Sequence, residues 1–137
     1  ATAHTTSFKP YERKDWFSKF DSNYPLYALL YQNKVIGYGS FSPYRKGRKA
    51  LAGVAEITFY LKSEFHGQGH GSFLVNYMLN WASHLGYKSL LAILLDTNMA
   101  SVRLLRKTGF EQWGHFPNIV HFENRTCGQF IYGRHID

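Results

Sequence analysis

Only one cysteine, Cys127, occurs in 137 residues, so no internal disulfide can staple the fold and a hydrophobic core must hold it. No apolar run approaches the ~20 residues that a bilayer-spanning helix needs. No secretory pattern of charged, apolar and small-residue segments opens the chain, which begins at Ala1 rather than at a methionine. These absences set the expectation of a soluble, cytoplasmic protein with no membrane partner. Internal repeats, low-complexity tracts and linkers are missing too, so the length fits one domain spanning 1–137. Acidic residues are scarce: nine Asp and Glu face sixteen Lys and Arg, for a formal net charge of +7. Such an excess favours anionic partners, whether nucleic acid, an acidic surface or a phosphate-bearing ligand.

With 45% hydrophobic and 18% charged residues the chain has ordinary globular composition, and a domain of this length buries about two thirds of the surface its unfolded chain exposes. Periodicity supplies the organisation. The segment 10–21 places Tyr11, Trp16, Phe17 and Phe20 near one face of a short helix opened by Pro10. "LYALLYQNKVIGYGSF" reads as two strands turning at Gln32, Asn33 and Lys34. The basic run "YRKGRK" at 44–49 follows and is first of all a solvated loop. "AGVAEITFYL" is a third strand, apolar on both faces and therefore expected to be central and covered on each side. From Gly71, Phe73, Leu74, Tyr77, Met78, Trp81 and Leu85 keep the helical period, with Gly86 placed to stop it. "KSLLAILL" is a buried strand, "NMASVRLLRKTGF" a capped helix ended by Gly109, and "EQWGHF" and "CGQFIYGRHI" closing strands. The sum is an α/β sandwich with a mixed sheet.

Between the third strand and the next helix lies "EFHGQGHGSFL", with glycines on alternate positions at 67, 69 and 71. Missing side chains suggest a close approach to the backbone. A glycine-rich turn entering a helix gathers N–H groups at the positive end of the helix dipole, an anion site whose natural occupant is a phosphate; a merely tight turn is the plainer reading. Two phosphate motifs fail here. Gly71 is followed by Ser72 and Phe73 with no P-loop lysine, and a hairpin instead of a βαβ unit precedes the turn, against a dinucleotide fingerprint even though Asp96 ends the next strand.

A third motif fits better. "HGQGHG" after a central strand resembles the Gln/Arg-x-x-Gly-x-Gly/Ala turn of the GNAT acetyltransferase superfamily. The segment carrying Asn98, Ser101, Leu104, Lys107, Gly109 and Phe110 is similar to a second motif helix of that superfamily. The stretches "ATAHTTS", "ERKDWF", "AEITFYL" and "WGHFPNIV" resemble the phosphinothricin acetyltransferase-like branch, over essentially the whole chain. The resemblance implies a GNAT fold: a mixed, mostly antiparallel central sheet flanked by helices. The further N-terminal strand and helix usual in the branch are not found in this sequence, so either it is a fragment or those elements are lost.

The resemblance implies transfer of acetyl from acetyl-CoA, as cosubstrate, to the primary amine of a small molecule, an amino acid or an analogue such as phosphinothricin or methionine sulfoximine. Such chemistry needs a proton acceptor for the amine and stabilisation of an oxyanion. Glu56, a carboxylate inside "VAEITF", must either pair with a cation or face a working cleft, and by resemblance it is the catalytic base. The same resemblance gives the pantetheine arm to backbone groups of Tyr60 and Leu61 and the pyrophosphate to His66, Gly67, Gln68, Gly69, His70, Gly71 and Ser72. Asn98 and Ser101 complete the cofactor-binding set. Arg45, Lys46, Arg48 or Lys49 would meet an acidic substrate or the 3′-phosphate.

Two departures stand out. His66 replaces the Gln or Arg that opens the turn, and Leu105 replaces the Tyr or His that protonates the departing thiolate; water or Tyr132 could take that task. Leu105 keeps open a second reading, a catalytically weak acyl-CoA-binding module. No metal is expected, since the glycines between His66 and His70 argue against a helical ligand pair, and His115, His121 and His135 lack ligand spacing. Cys127 is assigned a structural, partly buried place. The aromatic residues are given to the core and a homodimer surface; without basic-aromatic alternation they make no nucleic-acid platform.

Overall fold

The computed structural model describes residues 23–137, and the helix expected over 10–21 lies outside them. Six strands, β1 (Leu26–Tyr31), β2 (Lys34–Pro43), β3 (Val54–Leu61), β4 (Ser89–Leu95), β5 (Glu111–His121) and β6 (Thr126–His135), form one sheet in the order β1-β2-β3-β4-β6-β5. Neighbours run antiparallel except β3 and β4, which are parallel. Helix α1 (His70–Ala82) connects β3 to β4, and α2 (Met99–Lys107) connects β4 to β5. This is the mixed, mostly antiparallel sheet expected from the sequence.

Local chemistry explains the connections. Gln32 and Asn33 both have positive φ, 51° and 63°, the two-residue turn whose twist matches the strands it joins. Left-handed Gly86 and Gly109 follow the two helices, as C-terminal glycines do. Asn98 caps α2, its Oδ1 accepting from the Ser101 amide at 3.2 Å.

One buried cluster holds the helices to the sheet: Leu74, Val75, Met78 and Ala82 of α1, and Val102 and Leu105 of α2, meet Phe41, Ala55, Ile57, Leu90, Ala92 and Tyr132. Each fully buried Leu or Ile there contributes about 1.5–3 kcal/mol. Strand alternation sends Glu56, Thr58 and Tyr60 of β3, with Leu91 and Ile93 of β4, to the other face. Thr58 and Ile93 are exposed there. Among the described residues both helices lie on one face of β3, so the expected cover on its other face is not supplied by them.

The strand expected as "EQWGHF" runs on to His121, through Pro117. Proline is tolerated because β5 is an edge strand, and the register with β6 shifts between Phe116 and Val120, where Asn118 has a φ of 55°. No helix among the described residues is long and apolar enough to cross a membrane.

The pairing of β3 with β4 positions everything that follows. It consists of Val54 with Ser89, Ala55 with Leu90 and Glu56 with Leu91, and then stops. By contrast, β2 follows β3 all the way to Leu61, and β6 follows β4 to Leu95. The sheet is consequently split between 57–61 of β3 and 92–95 of β4.

Candidate active site

The glycine turn stands at the β3 lip of this split. Gly67 and Gly69 have φ of 75° and 87°, and a Cβ on either would meet nothing within 4 Å. Their side chains are absent for backbone conformation, not for crowding. Gly71 differs: a Cβ there would stand 3.0 Å from Leu104 Cδ2, so close approach is real at this one position and the approaching group is α2. The amide of Phe73 is the first to bond within α1, to the Gly69 carbonyl at 3.0 Å. The amides of His70, Gly71 and Ser72 precede it and have no intrahelical acceptor. Left-handed residues next to a helix N-terminus make a concavity of backbone donors suited to an anion.

Side chains brace the turn. Gln68 Nε2 donates to the Glu64 carbonyl at 3.2 Å, and His66 Nε2 lies 2.8 Å from the Leu61 carbonyl. The His66 amide bonds to the Ser63 carbonyl at 3.1 Å. With amide and Nε2 both engaged, His66 holds the turn to the end of β3. The His70 ring packs edge-on to Tyr31 and Phe65, with centroids 4.9 and 5.9 Å away, which leaves its backbone as the group facing the concavity.

Across the split, Asn98 follows the end of β4, its amide bonded to the Leu95 carbonyl at 3.0 Å. Ser101 receives the cap, and Leu104 of the same helix touches the turn at Gly71. The two sequence motifs thus meet at one end of the split. Tyr60 and Leu61 line its β3 side, where the Leu61 carbonyl already accepts from His66.

Glu56 lies at the closed end, paired across β2 with Ser42 and across β4 with Leu91. Leu61 stands five positions further along β3, about 16 Å of strand, a span suited to an extended pantetheine arm. Burial pushes the Glu56 carboxyl above its ordinary value of 4.5. No ion pair with a cation is formed by Glu56 among the described residues, so the structural-pair alternative is without support there. A partly desolvated carboxylate that no described cation neutralises has the chemistry of a proton acceptor.

The basic loop between β2 and β3 carries exposed Arg45, Lys46, Arg48 and Lys49. It begins where the Tyr44 amide bonds to the Val54 carbonyl, near Glu56 and a strand length from the glycine turn. One small anion cannot touch both.

Trp113 was not foreseen. A Cβ on Gly133 would stand 2.0 Å from the Trp113 ring, so the indole covers that glycine. Gly133 pairs with Leu91, which pairs with Glu56; the indole therefore lies on the face of Glu56, about two strand spacings or ~10 Å away. The register shift between Gln112 and Gly114 turns it there, and no sequence pattern announces such a bulge.

On the helix face, Leu105 is buried in the common core. Tyr132 is fully buried, and its hydroxyl has no hydrogen-bond partner among the described residues. At the far end of β4, His115 Nε2 lies 2.9 Å from Asp96 Oδ2. That hydrogen bond, with one from the Gly128 backbone, holds the Asp96 carboxyl below its ordinary value of 3.8. Among the described residues no three His, Cys, Asp or Glu gather as a metal site would require.

The sequence matches the model of the Acetyltransferase (GNAT) family over residues 2–110. It is 35% identical over 136 residues to a Bacillus subtilis protein named "Putative phosphinothricin acetyltransferase YwnH", covering 98% of this chain and 83% of that one. An L-methionine sulfoximine/L-methionine sulfone acetyltransferase of Pseudomonas aeruginosa is 29% identical over 109 residues, 78% of this chain and 63% of the relative. Among solved structures, a GNAT superfamily phosphinothricin acetyltransferase from Sinorhizobium meliloti in complex with acetyl-CoA superposes with a TM-score of 0.85, at 28% identity, over 96% of this chain and 71% of the other.

Proposed function

Because the chain belongs to the acetyltransferase (GNAT) family, with acetyl-CoA as donor, we propose that it acetylates the primary amine of a small amino acid or analogue such as phosphinothricin or methionine sulfoximine. The observation that carries this reading is the split sheet, which starts at Glu56 and opens onto the glycine turn. The pyrophosphate takes the amides of 67–72, and the pantetheine lies along the split between β3 and β4. Main-chain groups of Tyr60 and Leu61 steady the arm from one lip, Asn98 and Ser101 from the other.

The acceptor amine approaches from the face of the sheet opposite α1 and α2. It loses its proton to Glu56, directly or through one water, as its lone pair forms the N–C bond. Backbone N–H groups lining the split stabilise the oxyanion. Collapse breaks the C–S bond and leaves the electron pair on sulfur. Arg45, Lys46, Arg48 and Lys49 border this end of β3, and they receive the carboxylate of the acceptor while Trp113 walls the far side. The 3′-phosphate, which would lie beyond the turn at the other end of β3, is a worse fit for that loop.

Names of relatives point the same way: they speak of phosphinothricin and of methionine sulfoximine. The exposed Trp113, Phe116 and Ile119 of edge strand β5 support a homodimer, and the buried thiol of Cys127 suits a reducing cytoplasm. The deciding experiment is thiol release from acetyl-CoA across amino acids, sulfoximines and polyamines, for the native chain and Glu56→Gln. Acceptor-dependent turnover falling at least ~10-fold in the variant, with acetyl-CoA binding retained by calorimetry, is expected. Tight binding without acceptor-dependent turnover would replace the enzyme by an acyl-CoA-binding module.

A further inference from the structure

The pairings that hold Glu56 also line up a slot beside it. Ser42, Glu56, Leu91, Gly133 and Glu111 pair in turn across five strands, so they form one row on the face opposite α1 and α2. Gly133 brings no side chain to that row, and the indole of Trp113 lies where one would stand: a Cβ on Gly133 would be 2.0 Å from Cε3 and 2.3 Å from Cδ2 and Cζ3. These are carbons of the six-membered ring. Trp113 Nε1 donates to Glu111 Oε1 at 3.0 Å, which turns the polar atom of the indole toward the sheet edge. His135 holds the ring from the side, its centroid 4.9 Å away and its Nδ1 3.0 Å from Ser89 Oγ. With these neighbours and an exposure of 40%, the indole is fixed in place and still accessible. Between it and Glu56 the row holds Leu91 alone. The two columns stand about 10 Å apart, and a contact separation of ~4 Å leaves ~6 Å for a guest.

We propose that Trp113 sets the acceptor specificity of this chain: it ends the slot in hydrocarbon, so that the amines admitted are those whose side chain is short and terminates in a methyl group. The inference rests on the reading that the acceptor amine gives up its proton at Glu56. With the nitrogen there, the side chain of the acceptor lies over Leu91 and its end meets the six-membered ring. A longer chain collides with that ring. An anionic end loses water and receives no hydrogen bond in return, against a ring face that is itself electronegative. A terminal methyl loses nothing and gains burial. Glu111 is a positioning residue: without its oxygen the indole is free to turn off Gly133, and the stop at the end of the slot moves.

The test compares methionine sulfone with ethionine sulfone, one methylene longer, and with homocysteate, in which an anionic oxygen replaces the terminal methyl. For the native chain we expect kcat/KM to be lower by about 10-fold or more with each of the latter two. Trp113→Leu shortens the wall and keeps it apolar, so ethionine sulfone should gain about 10-fold relative to methionine sulfone while homocysteate stays poor. Glu111→Ala leaves the indole but frees it, and should move the ratio of the two sulfones the same way by about threefold; it carries the test should Trp113→Leu fail to fold. The dissociation constant for acetyl-CoA should change less than about twofold in both variants, which separates altered selectivity from a general loss of structure. Native kcat/KM values within about twofold of each other for methionine sulfone and either analogue would overturn the proposal, as would variants that lower all three acceptors by one common factor. No turnover of any amine by the native chain is a different result, and it removes the reading that places the acceptor at Glu56.

Discussion

Glu56 carries opposite consequences for activity and stability. Its carboxyl is raised by burial, so the fold favours the protonated form; that contribution is complete below the ordinary value and is lost as pH rises through the raised one. At pH 8 the ionised side chain therefore weighs against folding. Glu56→Gln should melt at a higher temperature than the native chain at pH 8 and at nearly the same temperature at pH 4, by calorimetry, while its turnover drops. The glycines of the turn make a second contrast. Gly69→Ala forces a Cβ into left-handed backbone at about 1–2 kcal/mol and should weaken acetyl-CoA binding, whereas at Gly71 only the flexible end of Leu104 must yield. Urea melts of the two variants would show the order. Sequence spacing exposed Glu56 as a carboxylate out of place in an apolar strand, and it found the turn. It could not tell positive φ from crowding, because both conditions select the same residue. Nor could it find Trp113, whose position depends on a bulge in the strand that carries it.

At the scale of elements, the strongly periodic pieces were legible: the β1–β2 hairpin, α1, α2 with its cap, and the mostly buried β4. The extent of β5 was not, since Pro117 reads as a stop and only the strand's place at the sheet edge admits it. The cross-strand tie at that end is equally invisible, as Asp96 and His115 lie nineteen residues apart. Gly128 lets them meet, because a Cβ there would stand 2.4 Å from the Phe116 carbonyl oxygen and 2.6 Å from Asp96 Oδ2. Gly128→Ala should cost about 1–3 kcal/mol in urea unfolding, as backbone cannot step aside. The depressed Asp96 carboxyl adds stability above its ordinary value near 3.8 that is lost as pH falls through the lower folded-state value. Asp96→Asn should therefore flatten the acid limb of a stability profile recorded from pH 5 down to 2, and a profile unchanged in shape would refute the tie.

Across the whole molecule, a formal charge of +7 should draw in polyanionic acetyl-CoA, and the association rate measured by stopped flow should fall as salt rises. The sheet through which the molecule is built is unevenly stitched. One half comprises β1, β2, β3 and α1, the other β4, β5, β6 and α2, and among the described residues the backbone bonds that join their strands are the short β3–β4 ladder ending at Glu56 and Leu91 and, just before it, those from the Lys88 and Ser89 amides to the Gly53 carbonyl. That ladder is a mechanical seam. Pulled apart across it, the protein should yield there first, and in hydrogen exchange the amides bordering it should open before those of β4 and β6. A ligand lying along the seam then acts as a strut, so that the substrate of one turnover is, for as long as it stays bound, a piece of the scaffold.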